Sequence, residues 1–450
     1  MKPASTPLED AARNIVRRLR DAGFTAYFAG GCVRDMLLGK EPQDFDVATD
    51  ATPEDVQQLF PRHVAVGAHF GVVVVLEGGH SLEVASFRAD GVYIDGRRPE
   101  TVRFTNARED AARRDFTING MFFDPLAGSG GGEVIDYVGG RADLDARILR
   151  AIGDPAARFA EDRLRMLRVV RFAATLDFAI EPATWEAVRV AAGEIHAISP
   201  ERIRDELVKV FTASTRVRGW DLLDASGLMK EVLPELETLK GCEQPPQFHP
   251  EGDVFVHTRL VLSLLPAETV SVPLAFGALF HDIGKPACAR VDVEDGGRIR
   301  FNGHEHVGAE MTAKVMRRLR FSNHEIEATT EAVRNHMAFK DVQQMRVAKL
   351  KRFLARPGFG DELELHRADC LGSHAMLDNY DFLHAKQVEF SSEPLIPKPF
   401  VTGHDLILLG LKPGPEFKAI LEAAQNRQLE GGFADREAAL AWLRETHAVR

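Results

Sequence analysis

An α+β fold is predicted by three observations. Strand-like segments crowd the first ~140 residues, helical periodicity runs almost unbroken after Gly153, and a Pro- and Gly-rich stretch at residues 241–253 separates two helical regions. The chain has 450 residues, which at ~150 residues per domain suggests about three domains. Its 45% apolar and 27% charged content is that of a globular protein and argues against a disordered, fibrous or membrane chain. The longest apolar runs, residues 72–76 and 272–280, are much shorter than the ~18 residues of a spanning helix. Charges occupy the N-terminal stretch where a signal peptide would be apolar, so a cytoplasmic protein with no membrane partner is expected. Cys32, Cys242, Cys288 and Cys370 lie far apart with no CxxC spacing, against a disulfide framework or a cysteine zinc site. A net charge of -11 excludes a uniformly basic nucleic-acid coat, so a phosphate-rich partner must be met by local arginine clusters.

Leu8, Ala11, Ala12, Ile15, Val16 and Leu19 recur at helical spacing and predict an opening amphipathic helix that Gly23 ends. Strands are expected at residues 25–29, 45–47, 64–66, 72–76, 82–87 and 102–105. Among them, Thr52-Pro53-Glu54-Asp55 predicts a helix start: Thr52 caps, Pro53 takes the first helical position and Asp55 closes a capping box. Helices follow at 155–176, 182–192 and 199–211. The expected units are a head at 1–150, a helical body at 151–240, a second helical domain at 250–390 and a C-terminal helical tail at 391–450.

Gly30-Gly31-Cys32-Val33-Arg34-Asp35 sits between a strand and a short helix. There, backbone N–H groups and Arg34 can hold a triphosphate. Asp44 and Asp46 are spaced i, i+2 on an expected strand, which puts both carboxylates on one face and Phe45 in the core. Glu83, alternating with Leu82 and Val84, supplies a third carboxylate from a neighbouring strand. Such a trio can hold a pair of Mg²⁺ ions, one activating an attacking hydroxyl and one neutralising a leaving pyrophosphate.

The segment GGCVRDMLLGKEPQDFDVAT resembles the signature of the class II tRNA nucleotidyltransferase and poly(A) polymerase family, within the polymerase-β-like superfamily. The similarity continues in order through residues 113–119 (RRDFTIN), 136–140 (DYVGG), 161–165 (EDRLR) and 199–203 (SPERI), spanning roughly residues 25 to 210. This resemblance implies a polymerase-β-like nucleotidyltransferase head, a mixed sheet with flanking helices, followed by an all-α neck and body that hold RNA. It implies that Gly30, Gly31, Arg34, Arg114, Asp115, Asn119, Asp162, Arg165 and Arg168 bind the nucleotide. Arg chelates phosphate, while Asp and Asn bond sugar hydroxyls. Phe116, Ile118 and Met121 form an apolar face that anchors their segment. Asp162 and Arg165, three apart on an expected helix, share one face. Cytosine and adenine both present an amino donor beside a ring-nitrogen acceptor, an order reversed in uracil and guanine. One Asp acceptor beside one Arg donor would therefore accept CTP and ATP and reject UTP and GTP.

Residues 86–104 contain Arg88, Asp90, Asp95, Gly96, Arg97 and Arg98 between two strands and read as a polar loop. In the resembled family that position holds the loop used to switch from C to A addition. Arginines at 141, 147, 150, 158, 163, 168 and 171 are candidates to line a path for an RNA backbone.

Farther on, His257, the pair His281-Asp282 after an apolar helix, and Asp369 form a set suited to a divalent metal. Their order resembles the HD phosphohydrolase superfamily over roughly residues 250–385, and the resemblance implies a metal phosphohydrolase acting beside the transferase. His304, His306 and His336 are further candidates, as extra ligands or phosphate contacts. The tail, through Gly403-His404-Asp405 and residues 411–415, is assigned to packing or to the tRNA elbow. The resulting expectation is a Mg²⁺-dependent enzyme adding C and A to the tRNA 3′ end from CTP and ATP. An A-adding enzyme or a poly(A) polymerase shares the chemistry. An HD phosphohydrolase with an RNA-binding N-terminal module is the rival of another class. No protein partner is readable.

Overall fold

The computed structural model describes residues 5–64, 71–90, 102–128, 131–245, 247, 249–292 and 297–447. Two compact units divide the chain between Pro234 and Glu235.

The first unit begins with helix Pro7–Asp21, whose Thr6 hydroxyl caps the Glu9 N–H and whose Ala11, Ala12, Ile15, Val16 and Leu19 are buried. Among the described residues before Asp136, nine strands follow: β1 (Ala26–Ala29), β2 (Asp46–Thr49), β3 (His63–Val64), β4 (Val72–Glu77), β5 (His80–Ser86), β6 (Arg88–Asp90), β7 (Val102–Phe104), β8 (Phe122–Asp124) and β9 (Glu133–Ile135). Seven of them form one mixed sheet in the order β3-β4-β5-β2-β1-β8-β9, and β6 pairs with β7 in a separate two-stranded sheet. The β2–β5 pair is parallel and the others are antiparallel. The capping box at Thr52 and Asp55 is present and starts helix Pro53–Leu59. Residues 65–66 and 91–101, including Asp95, Gly96, Arg97 and Arg98 of the expected loop, lie outside the described residues.

The helical part of this unit departs from the reading in one place that matters. A single helix over residues 155–176 was expected, but Asp162 leaves helical geometry (φ -143°, ψ 103°) and splits the segment into helices Pro155–Glu161 and Leu164–Leu176. The break is stabilised locally: the Asp162 carboxylate accepts the Leu164 N–H at 3.1 Å. Helices Pro182–Ala191, Pro200–Phe211 and Arg216–Ala225 complete the body, with Trp220 and Phe211 buried.

In the second unit, helices Val254–Leu264, Val272–Phe280, His304–Arg318, Asn323–Asn335 and Phe359–Gly372 pack around an apolar interior. Near the C-terminus, helices Gly403–Leu408, Pro415–Leu429 and Arg436–His447 gather a core of their own around Leu406, Phe433 and Leu443. Residues 241–253 are more than a connector, because Gln244 is buried and its side-chain oxygen accepts from Lys285 at 2.6 Å. No helix among the described residues is long and apolar enough to cross a membrane.

Candidate active sites

At the first site, strand β2 starts at Asp46, so Asp44 stands just ahead of the strand rather than on it. The alternation nevertheless holds: Phe45 is buried against Phe28 while Asp44 is exposed. The parallel register Val47↔Val84 brings Asp46 and Glu83 to the same end of neighbouring strands. Burial, together with the charges of Asp44 and Glu83, pushes the Asp46 carboxyl up to about 6, against the pull of Arg114. Two further carboxylates thus crowd negative charge onto Asp46, an arrangement that a cation would relieve. The donors are all hard oxygens, which suits Mg²⁺.

Opposite them stands Gly30, with φ 75° and ψ -128°, a conformation only glycine adopts readily. A Cβ there would sit 3.0 Å from Arg114 Nη1 and 3.9 Å from Asp46 Oδ2, so the bare backbone lets a guanidinium approach the carboxylates. Arg114 is held by Asp110 at 3.0 Å. Arg34 donates to Asn119 Oδ1 at 2.8 Å, Asn119 donates to Asp115 Oδ1 at 3.2 Å, and Arg168 clamps Asp115 Oδ2 at 2.8 and 2.5 Å. Burial alone would raise the Asp115 carboxyl, but Arg168 and these hydrogen bonds hold it below the usual carboxylate range. Arg34, Arg168 and Arg171 all lie over the ring of Phe172.

The segment bearing Asn119 is fixed from beneath by buried Phe116, Ile118 and Met121. Residues 136–140 explain themselves as support. The Asp136 carboxylate accepts the N–H groups of Val138, Gly139, Gly140 and Arg141. Gly140 presses so closely on Thr117 that a Cβ would lie 2.1 Å from the Thr117 carbonyl oxygen.

Asp162 and Arg165 do not share a helix face, because the break after Glu161 separates them. Asp162 is gripped by Arg202 at 2.7 and 3.2 Å. Arg165 donates to Glu161 at 2.7 Å and to the carbonyls of Arg158 and Arg113 at 3.0 Å. Arg202, which lies inside the 199–203 motif, was not singled out as a partner of Asp162. The arginines expected along an RNA path are largely engaged: Arg141, Arg150, Arg158, Arg163, Arg168 and Arg171 each pair with an acid.

At the second site, His257, His281, Asp282 and Asp369 come together although 112 residues separate the first from the last. His257 Nε2 is 3.0 Å from Asp369 Oδ1 and 3.7 Å from Asp282 Oδ2, and His281 Nε2 is 3.2 Å from Asp282 Oδ2. His281 Nε2 is buried and makes no hydrogen bond, so the donor set fits a divalent metal better than it fits packing. Burial disfavours the charged form of His257, yet Asp369 and Glu251 raise it to about 9. Two partners were overlooked in the sequence. Glu251 accepts at 2.7 Å from Nδ1 of His257, and Lys285 lies 2.6 Å from Asp282 Oδ2. The i, i+3 spacing of Asp282 and Lys285 was an available signal for the second. His304 and His336 join this cluster, whereas His306 turns to solvent. Asp282, His304, His336 and Asp369 open onto a cavity of about 1070 Å³.

Comparison with known proteins places three families along the chain. Residues 26–150 match the Poly A polymerase head domain, residues 177–240 the probable RNA and SrmB-binding site of polymerase A, and residues 254–368 the HD domain. The CCA-adding enzyme of Bacillus pumilus is 44% identical over 224 residues, covering 50% of this chain and 54% of the relative. That of Lactobacillus helveticus is 39% identical over 265 residues, covering 58% and 65%. In these matches the chain spans about half the length of the curated relatives. The crystal structure of the Bacillus stearothermophilus CCA-adding enzyme in complex with CTP superimposes with a TM-score of 0.74 at 26% identity, covering 99% of this chain and 98% of that one. A Thermotoga maritima CCA-adding enzyme complexed with tRNA shares the fold at 19% identity, with a TM-score of 0.60 over 99% and 97% of the two chains.

Proposed function

We infer that this chain, which carries a poly A polymerase head, its RNA-binding companion and an HD domain, is a template-independent nucleotidyltransferase that adds C and A to the 3′ end of tRNA from CTP and ATP. The observation that carries the reading is the convergence of Asp44, Glu83 and the Arg114 guanidinium on Asp46, beside Gly30. Sequence relatives named CCA-adding enzyme, and a structural neighbour complexed with CTP, support it.

Asp44, Asp46 and Glu83 would hold Mg²⁺, which when bound supplies Lewis acidity toward the attacking ribose hydroxyl and the leaving pyrophosphate. The bare backbone of Gly30 and Gly31 leaves room for the triphosphate, and Arg34 and Arg114 neutralise it. Asn119, Asp115 and Arg168 form a relay of hydrogen bonds that aims Arg34. Their first task is thus orientation of the phosphate-binding arginine, with the ribose reached from the same cluster. Base choice falls to Asp162 and Arg165. Arg202 on Asp162 and Glu161 on Arg165 hold the two side chains in place and leave further acceptor and donor capacity on each for a base edge.

In the second unit, His257, His281, Asp282 and Asp369 would hold a divalent ion that polarises a phosphate ester for hydrolysis. The four cysteines are free and distributed without pairing, in keeping with a reducing cytoplasm.

The test supplies CTP, ATP and Mg²⁺ with tRNA transcripts ending at the discriminator base or at CC, and with an unrelated RNA, followed by sequencing of the new 3′ ends. CCA on the first transcript and a single A on the second are expected. A on the CC-ended transcript alone would make it an A-adding enzyme, and long A tails on every RNA a poly(A) polymerase. No extension would move the assignment to the HD phosphohydrolase.

A further inference from the structure

Three arginines of the first site converge on one side chain. The guanidinium carbons of Arg34, Arg168 and Arg171 lie 5.2, 5.2 and 3.9 Å from the centroid of the Phe172 ring. They come from two helices, Gly31–Leu37 and Leu164–Leu176, so the periodicity of one helix does not account for the meeting. The ring is 6% exposed and stands edge-on to Phe116, with centroids 5.7 Å apart and planes at 79°, which anchors it in the core.

Three like charges around one ring repel one another. Each is partly neutralised by an acid: Asp35 lies 2.8 Å from Arg34, Asp115 2.5 Å from Arg168 and Glu206 2.5 Å from Arg171. A further carboxylate in place of Phe172 would hold the guanidiniums more strongly, but it would also repel a triphosphate. An aromatic face attracts cations through its quadrupole and carries no net charge, so it holds them without lowering the positive potential open to an anion. An aliphatic side chain would fill the space and exert no such pull.

We propose that Phe172 is a positioning residue of the transferase site. Its ring sets the Arg34 guanidinium for the nucleotide triphosphate, directly and through the relay of Arg168, Asp115 and Asn119. The proposal rests on the reading of this site as a nucleotidyltransferase. Because the effect is exerted on the triphosphate and not on the base, it should be the same for CTP and ATP.

The experiment compares the full-length parent with Phe172→Leu and Phe172→pentafluorophenylalanine. Leucine removes the ring, whereas the fluorinated ring keeps its shape and reverses the sign of its face. Incorporation is measured on tRNA transcripts ending at the discriminator base with CTP varied and at CC with ATP varied, and labelled CTP is bound in equilibrium dialysis without RNA. In both variants KM for CTP and for ATP should rise together by about tenfold, the CTP dissociation constant should follow, and kcat should stay within about twofold of the parent. Misfolding has another signature, since a smaller active fraction lowers apparent kcat and leaves KM in place. If Phe172→Leu does not fold, the fluorinated variant decides. A fluorinated variant with the parental KM would overturn the proposal, because ring shape alone would then suffice, and so would a KM shift confined to one nucleotide. Either result, with a parent that extends tRNA, leaves the transferase reading standing. A parent that binds no CTP and extends no RNA would overturn both.

Discussion

Asp46 concentrates the conflict between stability and chemistry. Its carboxyl is raised to about 6 by burial and by Asp44 and Glu83. A carboxylate raised in the fold stabilises the folded state most below the unfolded value, and that contribution is lost as pH climbs through 6. Asp46→Asn removes the repulsion, so the metal-free variant should gain roughly 1 kcal/mol in denaturant unfolding at pH 7. The same variant should lose more than about 100-fold in nucleotide incorporation, beyond the range typical for loss of a supporting contact at a metal site. Equal stability and near-normal incorporation would remove Asp46 from the metal site. Because the ion needs the ionised form, its apparent affinity, measured by titrating Mg²⁺ against incorporation, should fall about tenfold from pH 7 to pH 5. Glu251 acts one step removed, through Nδ1 of His257. Glu251→Gln should weaken metal binding at the HD site by about 10- to 100-fold in equilibrium dialysis while leaving nucleotide incorporation untouched.

Among the elements, helix Leu164–Leu176 ties the segment before Phe116 to the helical body, because Arg168 reaches back to Asp115 and Arg171 reaches across to Glu206. Removing one member of such a pair strands the other charge. Arg168→Ala should therefore cost roughly 3 kcal/mol at pH 7. Asp115 is depressed in the fold, so this stabilisation exists above the unfolded carboxylate value and is lost as pH falls through the folded one. The gap between parent and variant in urea should be widest at neutral pH and narrow once pH falls below the ordinary carboxylate range. The elements themselves were legible wherever the signal was local. The opening helix, the Thr52 capping box, the strand bearing Glu83 and the alternation around Phe45 all follow from side-chain periodicity and backbone caps. The break at Asp162 was not, because apolar spacing continues through it and only the carboxylate turn reveals it. Contacts across 40 or more residues, Arg202 with Asp162 and Gln244 with Lys285, were equally hidden. Periodicity says which face of an element is buried and nothing about which distant side chain meets it. The carboxylate trio and the clustering of His257, His281, Asp282 and Asp369 were legible as candidates because each type of chemistry restricts the residues that can perform it.

At the scale of the molecule, the chain folds as two compact units, Met1–Pro234 and Glu235–Arg450, and each contains its own candidate site. If each unit unfolds cooperatively, ligands should act on one transition at a time. An ion bound only to the folded HD unit and present at 100 times its dissociation constant stabilises that unit by about 2.7 kcal/mol. For units of this size, each kcal/mol moves the melting temperature by roughly 2–4 °C. Scanning calorimetry should therefore show two transitions, one of which falls by roughly 5–10 °C when Co²⁺ is chelated. Asp46→Asn should raise the other transition and leave the cobalt-sensitive one in place, while His257→Ala should lower the chelator response without moving the first. A single transition displaced by all three changes would mean that the units unfold together, and the two sites would then be linked through stability as well as through the chain.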